Sequence, residues 1–186
     1  MAIRKVARMG HPVLRQPART LSKNEILSDE IQRLIADMFD TMTEYGGVGL
    51  AAPQVHEPYQ LAVIDIQEDN ERYPNQVKSE QFVIINPVIK VLDETAQGFW
   101  EGCLSVPGLR GFVERPRKVS IDFLDHKAQP RTVVAEDFLA TVFQHELDHL
   151  FATLYVDRIK DPTKFAFTEE FQRYHTDDDE LETADE

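Results

Sequence analysis

"DFLATVFQHELDHL", residues 137–150, decides the fold, because its reading fixes both the centre of the molecule and the chemistry housed there. Phe138, Leu139, Val142, Leu147 and Leu150 place apolar side chains on most sides of a helix, so the segment reads as a buried helix opened by Asp137. Yet the same helix carries His145, Glu146, Asp148 and His149. Burying these groups is costly unless each is paired or bound to a cation. His145 and His149 stand one turn apart on one face, so both imidazoles can reach a single ion. Glu146, turned about 100° from His145, can reach the nucleophile without taking a coordination position. The H-E-x-x-H spacing therefore points to a divalent metal with two neutral nitrogen ligands and an adjacent base.

Two ligands do not hold a catalytic metal, whereas three with one open position do. A longer protease pattern would want a histidine at position 155, where Tyr155 stands. Glu169 and Glu170 are carboxylate candidates on a later helix, and Cys103 is a thiolate candidate. Cys103 is the single cysteine of the chain, so no intrachain disulfide can form, which fits a reducing compartment. It lies in "EGCLSVPG", residues 101–108, where Gly102 permits close backbone approach, and Ser105 and Pro107 are expected to end a strand and present the sulfur. A neighbouring divalent ion would drive the thiol pKa down. In "GGVGLAAPQV", residues 46–55, small residues surround Gln54, whose amide can donate to developing negative charge.

Around these stretches the periodicity supplies a scaffold. Ile31, Leu34, Ile35, Met38, Phe39 and Met42 follow a three-and-four spacing, predicting an amphipathic helix capped by Ser28 and ended by Gly46 and Gly47. Residues 60–66 and 82–92 read as strands, with Pro87 marking a break or bulge, and 67–80 as a polar loop between them. Residues 119–126 alternate with period two, and 131–136 form a partner strand. Residues 153–157 are expected to return as a short strand, and Asp161–Pro162 to start a last helix reaching about Tyr174. Residues 1–25 show no clear period and are expected to wrap over the surface. The fold class that results is α+β: antiparallel sheets surrounding a central metal-binding helix, with an N-terminal amphipathic helix and a C-terminal helix.

A chain of 186 residues is expected to form one catalytic domain over 1–174, followed by an acidic, mobile tail over 175–186. Residues 169–186 hold nine acidic side chains and one basic one, or −8, which leaves −5 of the net −13 for the rest. Such a polyanion disfavours binding to nucleic acid. Apolar runs are interrupted well before membrane-spanning length, and the amino terminus lacks a secretion signal, so a cytoplasmic protein is expected.

Taken together, Gly47–Gln54, Glu101–Ser105 and Gln144–His149 resemble, in order, the three motifs of the peptide deformylases, with likeness extending over about residues 5–160. The resemblance implies removal of the formyl group from the initiator methionine of new proteins, with release of formate. It implies Cys103, His145 and His149 as metal ligands, Glu146 as general acid/base, and Gln54 with the Leu104 amide as oxyanion donors. Gly49 would meet the substrate backbone, Val48, Phe138 and Val142 would line a methionine pocket, Gly102 and Arg110 would also bind substrate, and Arg110 and Arg115 fall where the family commonly has arginine. The implied cofactor is one divalent ion, Fe(II) in cells with Zn(II) or Ni(II) able to substitute. The implied partners are formyl-Met nascent peptides and, transiently, the ribosome. Ala152 departs from the pattern, which usually has glycine there. Two rivals remain at this point: a zinc peptidase using Glu169 or Glu170, and a metal-dependent binding module without turnover.

Overall fold

The computed structural model describes residues 2–66 and 79–175; most of the expected polar loop and nearly all of the acidic tail lie outside the described residues. After a 3-10 turn at Pro12–Arg15, α1 (Lys23–Ile26) opens with Ser22 and Glu25 capping each other's backbone. The amphipathic helix expected next is α2, Asp29–Glu44, with the Ser28 hydroxyl accepting from the Ile31 amide at 3.4 Å. Its apolar spacing puts Ile31, Leu34, Ile35, Met38 and Met42 on one buried face. Gly46, at φ +63°, then turns the chain away from the helix axis.

Strand β1 (Gly49–Ala51) leads through a 3-10 turn at Ala52–Val55 to β2 (Leu61–Ile64). β2 is buried on both sides: Leu61 and Val63 pack with α2, while Ala62 and Ile64 belong to the cluster around the second long helix. That helix is α3, Asp137–Leu150, over the span its sequence predicted. The remaining strands are β3 (Phe82–Cys103), β4 (Val106–Leu124), β5 (Pro130–Glu136) and β6 (Phe165–Phe167), with α4 at Thr168–Tyr174. All pairings are antiparallel in the order β1-β2-β3-β4-β5, and β6 joins β4. α3 packs against all of β1 to β5, which makes it the centre of the core. No helix among the described residues is long and apolar enough to cross a membrane.

Several local expectations are corrected. β3 and β4 run well past the strands read at 82–92 and 119–126, meeting in a tight hairpin at the Cys103–Val106 pair. Register shifts at Ile85/Val88, Val91/Asp93 and Asp93/Ala96 bend this long ribbon, the first at the Pro87 break. Asp93, Glu94, Thr95 and Gln97 interrupt the apolar pattern, so hydrophobic alternation did not reveal the extension. Residues 155–158 form a 3-10 turn in place of a strand, because the Asp157 carboxylate accepts from the Leu154 amide at 2.8 Å and closes the chain locally. The last helix is likewise shorter than expected. Asp161 caps only a 3-10 turn at Pro162–Lys164, after which Phe165–Phe167 pairs with the Leu109–Gly111 stretch of β4. The amino-terminal segment is also more than a surface wrap, since Val6, Ala7, Leu14, Ala18 and Leu21 are buried.

Candidate functional site

A cavity opens between β1, the end of β3 and α3. Cys103 comes to its floor on the last residue of β3, and His145 and His149 come from α3, one turn apart. All three are buried, and one ligand atom from each lies within 4.8 Å of the others. The Cys103 Sγ to His149 Nε2 distance is 3.4 Å. Zinc–sulfur and zinc–nitrogen bonds of ordinary length at a tetrahedral angle would set about 3.5 Å between two such ligands, so the donor set fits one shared ion. Among the described residues no other group of His, Cys, Asp and Glu side chains converges in this way. Glu169 and Glu170, the rival carboxylates, are exposed on α4 and take no part.

The electrostatics agree with the geometry. Burial alone would push the Cys103 thiol up, but His149 and His145 beside it hold it well below its ordinary range. Burial would likewise lower the His145 imidazole, yet Cys103 and Glu101 carry it well above its usual value. Each of these two groups thus favours the charged form of the other.

A buried ionic network stands behind the Cys103, His145 and His149 cluster. Glu101 Oε2 lies 2.7 Å from His145 Nδ1, which directs the other ring nitrogen into the cavity. Arg115 donates from Nε and Nη2 to the two Glu101 oxygens at 2.6 and 2.9 Å, and from Nη1 to Asp148 at 2.9 Å. Burial opposes the Glu101 charge, but the Arg115 guanidinium and His145 outweigh it and hold the carboxyl at about 2. The resemblance gave Arg115 no role; its place is behind His145, with its charge shared between the Glu101 and Asp148 carboxylates.

The remaining predicted residues divide into those that meet at the cavity and one that does not. Gln54 Oε1 accepts from the Ala51 amide at 2.8 Å, which turns its NH2 toward Cys103 Sγ at 3.4 Å and Ser105 Oγ at 3.2 Å. Glu146, Val48, Gly49, Gly102, Leu104, Phe138 and Val142 all line the cavity. Gly49 is required by space: a Cβ there would fall 2.4 Å from Glu146 Oε1. Arg110 is not a lining residue. Its guanidinium reaches the Trp100 carbonyl at 3.4 Å and lies over the Phe171 ring, because β4 turns that side chain toward α4.

Sequence reasoning missed Phe99 and Thr141 as lining residues and Glu101 as the partner of His145. The signal was present for two of them. Phe99, Glu101 and Cys103 are spaced by two, so a strand read through the cysteine puts all three on one face. The amino-terminal segment was missed as well: Ala7 donates to the Gln54 carbonyl and Met9 to the Ser105 carbonyl, both at 2.7 Å, tying two motif loops together.

The comparisons with known proteins agree with one another. The polypeptide deformylase family model matches residues 3–165. The peptide deformylase of Leptospira biflexa is 45% identical over 170 residues, covering 91% of this chain and 95% of that one. A Met-Ala-Ser-bound class I type b peptide deformylase from Acinetobacter baumannii superposes with a TM-score of 0.81 at 36% identity, covering 85% of this chain and 99% of that chain. The actinonin complex of the Synechococcus elongatus enzyme gives 0.76 at 35% identity, covering 93% and 90% respectively. A thiolate and two imidazoles gathered at the heart of this fold, in a sequence so close to these enzymes, leave one conclusion: the chain belongs to the peptide deformylase family, metal-dependent hydrolases that remove the N-formyl group from nascent peptides.

Proposed function

We propose that Cys103, His145 and His149 hold one divalent cation and that Glu146 is the general acid/base for hydrolysis of the formyl amide of formyl-methionyl chains. The observation that carries this reading is the convergence of the three ligand atoms within 4.8 Å, at a cavity lined by Cys103, His145, Glu146 and Gln54. When bound, the cation supplies Lewis acidity to an attacking oxygen and to the formyl carbonyl. Glu146 takes the proton of the attacking water and hands it to the departing amine, giving formate and a free amino terminus. The Gln54 NH2 is already aimed into the site by its Ala51 contact, and with the Leu104 amide it donates to the oxyanion that develops.

Val48, Phe99, Phe138, Thr141 and Val142 offer an apolar pocket of the kind methionine fills, and the Met-Ala-Ser-bound relative supports that assignment. Gly49 and Gly102 leave the backbone open to an extended peptide. Arg110 is given no direct substrate contact, since it faces Trp100 and Phe171.

Residues 1–174 are read as one catalytic domain. The ion is Fe(II) in cells, with Zn(II) or Ni(II) able to substitute, because a thiolate with two imidazoles suits all three. The substrate is a chain still being made, so the enzyme works in the cytoplasm in transient contact with ribosomes. The test is formate release from formyl-Met-Ala by protein prepared without oxygen. Turnover is expected with the formyl peptide and not with its acetyl counterpart. Glu146→Gln is expected to lose about 10²–10⁴-fold in rate while retaining metal. Equal turnover of both peptides, or an active Glu146→Gln, would overturn the assignment.

A further inference from the structure

The ligand helix is gripped by the turn that follows it. Tyr155 and Arg158 occupy the two ends of the 3-10 turn just beyond α3, a stretch whose sequence suggested a strand. From one end, the Tyr155 ring stacks on His145 with centroids 6.0 Å apart and planes 21° from parallel. From the other, Arg158 donates from Nε and Nη2 to both oxygens of Asp148, each at 2.5 Å. Asp148 shares its second oxygen with Arg115, whose fork holds Glu101, whose carboxylate meets His145 Nδ1. Both grips therefore end on the same imidazole.

We propose that this turn is a positioning device for the His145 ring, with Arg158 as its outer anchor, an inference that rests on the metal reading above. Charge explains the need for an anchor. Glu101 and Asp148 bring two negative charges to the single buried guanidinium of Arg115, and Arg158 makes the set neutral. Geometry explains why it must be arginine. Only a planar fork can hold both Asp148 oxygens at once and so fix the carboxylate against which Arg115 is oriented. The turn is itself secured: Asp157 accepts from the Leu154 amide, and its other oxygen from Arg15 Nη2 at 3.0 Å. A ligand histidine binds its metal best when the partner of its second nitrogen is fixed, and loss of such support typically costs about 10–100-fold in affinity.

The experiment titrates Co(II) into the metal-free full chain against a competing chelator, following the thiolate–cobalt band and the ligand-field bands. Arg158→Ala is expected to weaken binding about tenfold, at the low end of that range because Arg158 is half-exposed, and to alter the ligand-field bands. Arg158→Lys keeps the charge without the fork and is expected to recover only part of the loss. The melting temperature of the metal-free protein is expected to change little, since a half-exposed pair adds little stability. Unchanged affinity and bands in Arg158→Ala overturn the proposal, as does a purely thermal defect. Tighter binding also overturns it, because it would mean that charge outweighs orientation. Absence of the thiolate band in the unaltered chain would show that the metal reading itself had failed, and this inference with it.

Discussion

Helices α2 and α3 end in the same hydrogen-bonded cap and are buried in opposite ways. In each, the second residue beyond the C-cap donates to the carbonyl three residues from the helix end: Gly47 to Met42 at 2.8 Å, and Thr153 to Asp148 at 3.0 Å. α2 buries one apolar stripe and keeps Asp29, Glu30, Arg33 and Glu44 in water, while Asp37 pairs with Arg4 at 3.2 Å. α3 is buried over nearly its whole length, including Gln144, His145, Glu146, Asp148 and His149. The stripe of α2 is held by non-directional burial, which tolerates neighbours of similar size. The polar face of α3 holds its place through fixed partners, each of which strands another group when lost. One helix is scaffold and the other is site, and the difference lies in what their polar residues meet.

The sharpest way to break that contrast is to remove a partner on the α3 side. Arg115→Ala leaves Glu101 and Asp148 buried without their shared guanidinium, and is expected to destabilise the fold by about 3–5 kcal/mol in denaturant unfolding. Acid should expose the same dependence in the unaltered chain. Folding lowers the Glu101 pKa from 4.5 to about 2. The unfolded chain therefore takes up the proton first, so the contribution of Glu101 is fully present above pH 4.5 and is lost as pH falls toward 2. Glu101→Gln is expected to flatten stability across that window. An unchanged acid limb would show that the charge of Glu101 is not what the network holds.

On the α2 side the expected loss is of similar kind and somewhat smaller. Met38 is fully buried in the cluster that joins α2 to β2. Met38→Ala is expected to cost about 2–5 kcal/mol through the cavity it leaves, with metal affinity unaltered at temperatures where the protein stays folded. A loss of affinity there would show that the two helices are coupled and erase the distinction between scaffold and site.

What the sequence disclosed follows the same division. Both long helices were legible because their side chains repeat with helical period, and three motifs pointed to the Cys103, His145 and His149 cluster and to Glu146 and Gln54 beside it. The strand extension through Glu101 was hidden because Asp93, Glu94, Thr95 and Gln97 break the apolar pattern where the register shifts, and the partner of His145 was hidden with it. The turn at 155–158 was hidden for another reason. Tyr155 and Val156 favour a strand by type, while the Asp157 contact that closes the turn has no counterpart in hydrophobic pattern. Long-range ion pairs such as Arg115 with Asp148 leave no local trace at all.

The smallest expected effect returns to the shared cap. Both caps need a left-handed residue, and both have one at φ +63°: Gly46 after α2 and Ala152 after α3. Alanine pays for that conformation through its Cβ, by about 1 kcal/mol relative to glycine, and the family pattern has glycine at the second site. Both cap hydrogen bonds nonetheless form after α3, with the Ala152 amide 3.4 Å from the His149 carbonyl. The cost therefore lies in backbone strain. Ala152→Gly is expected to raise stability by about 1 kcal/mol, and the melting temperature by about 2–4 °C, without changing metal affinity. Gly46→Ala should show the converse loss, since no atom lies within 4 Å of the added Cβ and only the dihedral is at stake. Equal and opposite shifts in the two variants would show that the caps are energetically alike, so that α3 differs from α2 only along its buried polar face. A shift in Ala152→Gly that also moved metal affinity would instead tie the exit of α3 to the placement of His149.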